Sequence, residues 1–462
     1  MLALIALVAA VLALIVIVAE PMAGVALMLF VAPFGPLVRI TFGTSVDPGQ
    51  VALALTLASW LGRKILAAKE NRADWKTLPL AQVLRRPVAI SLIVFLAVTA
   101  LTFFPARSFE LWFKEWLKWA EMLIVFALVA SEPSPRKRVF VLGAVLASLA
   151  FQGAFGVLQF GLLGFGPKEF EILGGRFWRA HGTLEQPNPF GGYVGMLWPL
   201  AAGVLAAVLA HQSDRFRSGQ TGWRTLVFIL AGIAMLAGLG GLVGSWSRGA
   251  WLGAGAAVLV MALAAFKKPI LGFGVVLAAL AVLMGLYAAN ALPASIRSRL
   301  TDFTAQFTAV DVRGASITPA NYAVIERLAH WQAGLNMIEA EPWTGVGFGN
   351  YEAAYDQYRL INWPIALAHA HNYYINIWAE TGLFGLMTYL AFWMCVFVVT
   401  WRTARNPSAG AWRFVALGLM GTWAHLAAHN VVDNLYVANM TLLIGALLGI
   451  LNAEFRMQKE SA

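Results

Sequence analysis

Apolar runs of about 20 residues, broken by short polar stretches, recur along this chain, and that length is what a helix needs to cross a bilayer. From residue 88 onward the runs predict ten helices, near 88–104, 111–131, 137–161, 188–210, 225–245, 249–266, 270–290, 371–400, 411–430 and 435–453. Upstream, 2–19, 22–34 and 50–66 form either three spans or two, with one element broken around Pro33 and Pro36. The two-span reading gives an all-α polytopic membrane protein of about twelve transmembrane helices. Between the runs at 290 and 371 the pattern changes. Residues 321–341 place Tyr322, Ile325, Leu328, Ala329, Trp331, Leu335 and Ile338 at roughly helical spacing, which predicts an amphipathic helix lying over the bundle. Pro342 and the GVGFGNY run at 345–351 end it in a turn. The chain therefore divides into transmembrane helices 1–9 over residues 1–290, a large outer loop or cap over 291–368, and C-terminal helices with a tail over 369–462.

Composition agrees with this pattern. Hydrophobic residues make up 60% of the chain and charged residues only 12%, against about a quarter charged in soluble domains, so soluble fold classes drop out. Lys and Arg cluster at every second connection: Arg63 to Arg86 (with Arg72 and Lys76), Arg136-Lys137-Arg138, Arg215/Arg217/Arg224, Lys267-Lys268, Arg402/Arg405/Arg413, and Arg456 with Lys459. The positive-inside rule puts these in the cytoplasm, and it accounts for the net charge of +10 without a nucleic-acid partner. Met1 to Ala19 lacks a basic n-region and reads as a retained helix. Cys395, the single cysteine, sits in an apolar run. Residues 105–119, with Trp112, Trp116 and Trp119 beside Lys114 and Lys118, read as a helix entry in the interface with snorkelling lysines.

The remaining connections lie on the outer face and carry unusual polar residues. RFWRAHGTLEQPNPFGGYV holds Arg176, Arg179, His181, Glu185 and Asn188; SWSRGAW holds Arg248; the cap helix holds Glu326 and Arg327; HAHNYYINIWAETGLFG holds His369, His371 and Asn372. His425, His429 and Asp433 follow i, i+4, i+8 spacing, which predicts one helix face. A single arginine at a helix end is often only an anchor. Arg179, Arg248 and Arg327, however, reach one face from three distant segments, and they would repel one another unless an anion is shared. Arginine forks suit phosphate oxygens, so a diphosphate at the membrane surface is the expected guest. A metal site is not expected. The His/Asp spacing is not a zinc pattern, no cysteine assists, and the arginines would oppose a cation. No phosphate-binding G-x-x-x-x-G-K-[ST] loop is present, and no cofactor is expected. An enzyme acting on a lipid-linked group fits this placement better than a small-anion transporter, which would carry its charge near the midplane and show paired repeats.

His371-Asn372, nine residues, then Gly382-Leu383-Phe384-Gly385 resembles the motif of the O-antigen ligase family; RAHGTLEQPNPFGGY, SWSRGAW and ERLAHWQAGLNMIEAEPWTGVGFGNY resemble its recurrent blocks. The resemblance covers roughly residues 137–453 and extends to O-antigen polymerases and protein O-oligosaccharyltransferases. It implies a GT-C-type, metal-independent, inverting glycosyltransferase of the bacterial inner membrane whose active site faces the periplasm. The donor would be an undecaprenyl-diphosphate-linked glycan and, for a ligase, the acceptor a sugar hydroxyl of lipid A core. The family's catalytic residues fall on His371, Arg248 and Arg327, with Arg179 or its neighbour Arg176 on the diphosphate. Asn188, His369, Asn372 and Asp433 are further expected contacts to the diphosphate or acceptor.

Overall fold

The computed structural model describes residues 2–37, 40–41, 45–69, 79–163, 166–210, 221–301, 311–318 and 321–460; Arg72, Lys76, Arg215 and Arg217 of the basic clusters lie outside them. The first three helices are α1 (Leu2–Ala19), α2 (Pro21–Val31) and α3 (Pro48–Lys69). The stretch around Pro33 is a 3₁₀ turn, Ala32–Phe34, followed by a short hairpin of β1 (Ile40–Thr41) with β2 (Ser45–Val46). Proline lacks the amide a continuing helix requires, so the apolar run breaks there into separate elements.

Next come α4 (Pro79–Leu84), α5 (Pro87–Leu101), α6 (Phe109–Ala130), α7 (Pro135–Val157), a second hairpin of β3 (Glu171–Ile172) and β4 (Phe177–Trp178), then α8 (Pro187–Ala210), α9 (Thr221–Gly244), α10 (Arg248–Ala265) and α11 (Pro269–Ala288). The cap contributes α12 (Ala294–Thr301), α13 (Tyr322–Ala340) and α14 (Tyr351–Tyr358), and α15 (Tyr373–Arg405), α16 (Trp412–His429) and α17 (Met440–Glu460) complete the bundle. Each of the ten helices expected from residue 88 onward has its counterpart here. The last begins at Met440 rather than 435, because residues 430–439 form a turn that ends with Ala438 and Asn439 at positive φ.

Among the described residues six helices are long and apolar enough to cross a membrane: α7 with its π-helical extension to Leu162, α8, α9, α10, α11 and α15. Others, including α2 and α5, are apolar but shorter. α6 has a charged first half, where Lys114 pairs with Glu110 at 2.5 Å and Lys118 with Glu115 at 2.6 Å. The indoles of Trp112 and Trp116 donate to the carbonyls of Thr99 and Leu96 on α5. Lys118 does not snorkel outward as expected; its ammonium turns in and donates to the Tyr436 carbonyl at 2.9 Å.

The two ends of the bundle differ in chemistry. Arg405 donates to the carbonyls of Phe266 and Lys267, joining the α15–α16 turn to the basic α10–α11 turn. Lys137 pairs with Glu20 at 2.7 Å near the start of α7. The β3–β4 hairpin, the α9–α10 turn, the cap and the α16–α17 turn all lie at the opposite helix ends.

The cap docks on α15 through its glycines. Gly382 breaks the helix with φ 66° and ψ −174°, and an added Cβ there would lie 2.0 Å from the Trp343 carbonyl oxygen. Only glycine takes that conformation at so close an approach. Leu383 N donates to the Pro342 carbonyl at the kink, while Val346 N and Gly347 N donate to the carbonyls of Ala379 and Glu380. The buried Glu380 carboxylate accepts from the amides of Gly349 and Tyr351 at 3.0 and 3.1 Å. The first glycine of the Gly-x-x-Gly motif therefore forms the seat on which the 342–351 turn sits.

Candidate functional site

Five segments meet at the capped end around a cavity of about 150 Å³ lined by Arg179, Asn188, Ser247, Arg248, Gly249, Arg299, Ala323, Arg327, His429, Val432 and Asp433. Each cation has a separate structural origin. The loop after β4 is held by hydrogen bonds from Arg179 N to the Phe170 carbonyl and from Ala180 N to the Gly244 carbonyl, both 2.8 Å. The Arg179 side chain then donates from Nε to the Ser245 carbonyl at 3.0 Å and from Nη2 to Asn188 Oδ1 at 2.9 Å. Asn188, in the first turn of α8, thus orients that guanidinium.

Arg248 opens α10. Ser247 caps that helix by accepting from Ala250 N, and Ser247, Arg248 and Gly249 together present its N-terminus to the cavity. The positive end of the helix dipole favours an anion there. Arg299 on α12 donates to the Trp246 carbonyl at 2.7 Å. Arg327 comes from the second turn of α13, on the cap. Four guanidinium groups thus face one carboxylate, Asp433. Arg179 registers the crowding: burial first, then Arg327 and Arg248, push its pKa down to about 10.

Asp433 stands just past α16, so the expected shared helix face ends at His429. The turn that carries Asp433 is built by side chains: Asn430 Oδ1 accepts from Leu435 N, Asp433 Oδ1 from Asn434 N, and Asn434 Oδ1 from Tyr436 N, each at 2.9 Å. Burial would raise the Asp433 carboxyl, but His371 and Arg327 outweigh it and hold the group well below the usual carboxylate range.

His371 precedes α15 and does not begin it. Asn372 is the N-cap, accepting from the amides of Tyr374 and Ile375 at 3.0 and 3.1 Å, which is a structural duty and not a place in the cavity. His371 has φ 53°, a strained conformation for a non-glycine residue. It is held by three contacts. Its amide donates to His369 Nδ1 at 3.1 Å, its carbonyl accepts from the Trp331 indole at 3.2 Å, and Tyr373 N, two residues on, donates to the Asn430 carbonyl at 2.8 Å. His371 Nδ1 consequently lies 3.5 Å from Asp433 Oδ1, next to a cavity that Asp433 lines and His371 does not. His369 packs its ring against that of His371, centroids 4.5 Å apart, and burial together with His371 brings its pKa down to about 4. The ligand atoms of His369, His371 and Asp433 fall within 4.8 Å of one another, close enough to share a cation. Arg176 is placed elsewhere, exposed on the hairpin turn with its guanidinium over the Phe177 ring.

Beside the polar cavity runs an apolar groove of about 270 Å³, lined by Leu252, Val324, Leu328, Trp331, Val431 and Val432 together with Arg248, Gly249 and Arg327. The two share Arg248, Gly249, Arg327 and Val432 as a common wall. Two lining residues, Arg299 and Ser247, carry no mark in the sequence. Nothing in IRSRL marks Arg299 over Arg297, and Ser247 looks like any helix cap.

Residues 233–390 match the O-antigen ligase family. The match takes in Arg248, Arg299, Arg327, His369 and His371 but stops short of Asp433. Comparison with curated proteins gave no match.

Proposed function

We propose that this chain, of which residues 233–390 match the O-antigen ligase family, is a membrane glycosyltransferase that transfers a glycan from undecaprenyl diphosphate to a sugar hydroxyl of lipid A core at the periplasmic face of the inner membrane. One observation carries this reading: a cavity with four arginines and a helix N-terminus opens beside an apolar groove, sharing Arg248 and Arg327 with it. That pairing suits a diphosphate joined to a polyprenyl chain, with the anion among the guanidinium groups and the hydrocarbon along Leu252, Leu328 and Trp331. The basic connections at the opposite helix ends favour the cytoplasm for that end.

In this mechanism Asp433 accepts the Nδ1–H of His371 and fixes its tautomer, leaving Nε2 to take the acceptor's hydroxyl proton. The acceptor oxygen bonds to the anomeric carbon as the bond from that carbon to the lipid diphosphate breaks. The departing oxygen keeps the electron pair, and Arg179, Arg248, Arg299 and Arg327 stabilise its charge. Arg327 competes with any cation for Asp433, so we read the His369–His371–Asp433 group as a base with its orienting partners, without a metal.

The test is turnover of full-length protein in detergent with undecaprenyl-diphosphate-linked glycan and core lipopolysaccharide. His371→Ala should lose about 10²–10⁴-fold in rate, and EDTA should leave the wild-type rate unchanged. Full activity of His371→Ala would end the proposal of a base, and loss with EDTA that zinc or manganese restores would turn the same three residues into a metal site. Transfer onto a growing glycan or onto protein, with core left bare, would instead assign a polymerase or a protein-directed transferase.

A further inference from the structure

Two buried imidazoles on α16 take no part in the mechanism above. His429 and His425, one turn apart on α16, are both fully buried. His429 lines the arginine cavity, and its Nε2 has no hydrogen-bond partner. The backbone makes room for that ring edge: a Cβ at Gly249 would lie 2.8 Å from His429 Nε2. On its other side His429 Nδ1 is 3.5 Å from His425 Nε2. His425 is itself packed between Gly195 and Gly253, where a Cβ would come within 2.1 and 2.7 Å of the ring, and its Nδ1 is also unpartnered.

One arrangement of protons suits both an anion and the burial. If His425 Nε2 carries its hydrogen and donates to His429 Nδ1, then His429 is the Nε2–H tautomer and points a donor into the cavity. The reverse arrangement turns a lone pair of His429 toward the anion and strands a buried N–H on His425, which is the costlier group to leave unpaired.

We infer that His429 is a diphosphate-binding residue, donating from Nε2 to a phosphate oxygen between Arg248 and Arg327, and that His425 is a positioning residue that sets its tautomer. This rests on the proposed function, since it assigns one more contact to the same anion. It also explains why glycines face both rings: the imidazoles are seated to aim one N–H at the ligand.

The experiment is titration of the full-length protein in detergent with inorganic pyrophosphate, followed by competition against the lipid-linked donor. His429→Ala should weaken pyrophosphate binding by about tenfold or more, the usual worth of a hydrogen bond to a charged acceptor. His429→Gln, which restores an N–H at similar reach, should recover most of it. Nitrogen-15 spectra of the histidines should show His429 protonated on Nε2, and His425→Ala should mix its tautomers. Wild-type affinity in a folded His429→Ala protein, or an Nδ1–H tautomer at His429 in both the free and pyrophosphate-bound protein, overturns the inference. Arg327→Ala separates the two levels. If it loses pyrophosphate and His429→Ala does not, the assignment of His429 alone fails; if neither variant nor wild type binds, the diphosphate reading fails with it.

Discussion

A guanidinium and an ammonium carry the same charge, but only the first offers two parallel donors to a phosphate. Arg248 and Arg327 each border both the polar cavity and the apolar groove, so the junction of headgroup and chain would rest on these two residues. Arg248→Lys and Arg327→Lys should therefore each cut turnover by about 10²-fold while leaving the protein folded, as read by glycan transfer beside thermal melting. A substitution tolerated without loss would mean that charge alone suffices. At this scale the sequence showed the arginines and the motif histidine by type and by the face they share. It did not show Arg299, since its recruitment depends on where α12 turns back to the Trp246 carbonyl. Arg176 and Arg179 are three residues apart and chemically alike; only the hairpin register, with Arg179 N on the Phe170 carbonyl, decides which points inward.

Among the elements, α13 matters most, because it carries Arg327 and supports His371 from outside the bundle. His330 on its inner face is buried and stacks on Tyr355, and its Nδ1 lies 3.1 Å from the Tyr351 hydroxyl. Burial, then the neighbouring His371, lower the His330 pKa from its ordinary 6.5 to about 4. The unfolded or undocked helix therefore binds the proton more readily than the docked one. Cap stability from this residue is complete above pH 6.5 and is lost as pH falls toward 4, by roughly tenfold in the opening equilibrium per pH unit for each proton taken up. Hydrogen exchange of α13 amides across pH 4 to 7 should show that slope, and His330→Gln should flatten it. The amphipathic helix itself was legible from the 321–341 spacing, although Tyr322 and Leu335 turned out exposed and Val324 buried. Periodicity predicts the start of α15 two residues early, because the strained backbone of His371 leaves no trace in it.

For the whole molecule, the expected alternation of basic and site-bearing connections is matched by helix ends that sort the two kinds apart. The count of about twelve spans rested on apolar length, and the described helices show why that measure is coarse. α6 begins in charged turns and α2 stops at a proline, so each departs from a simple span. Sidedness can be measured directly. With Cys395→Ala as background, Glu352→Cys on α14 should react with a membrane-impermeant thiol reagent in intact cells, and Ser408→Cys between α15 and α16 should react only after lysis. The opposite pattern would put the cavity in the cytoplasm and remove the proposed substrates. The groove shared by Arg248 and Arg327 adds a consequence for traffic. A spent carrier seated there would need no upward exit through the lid; it could drain sideways into the leaflet, and the acceptor could arrive from above without waiting at the same door.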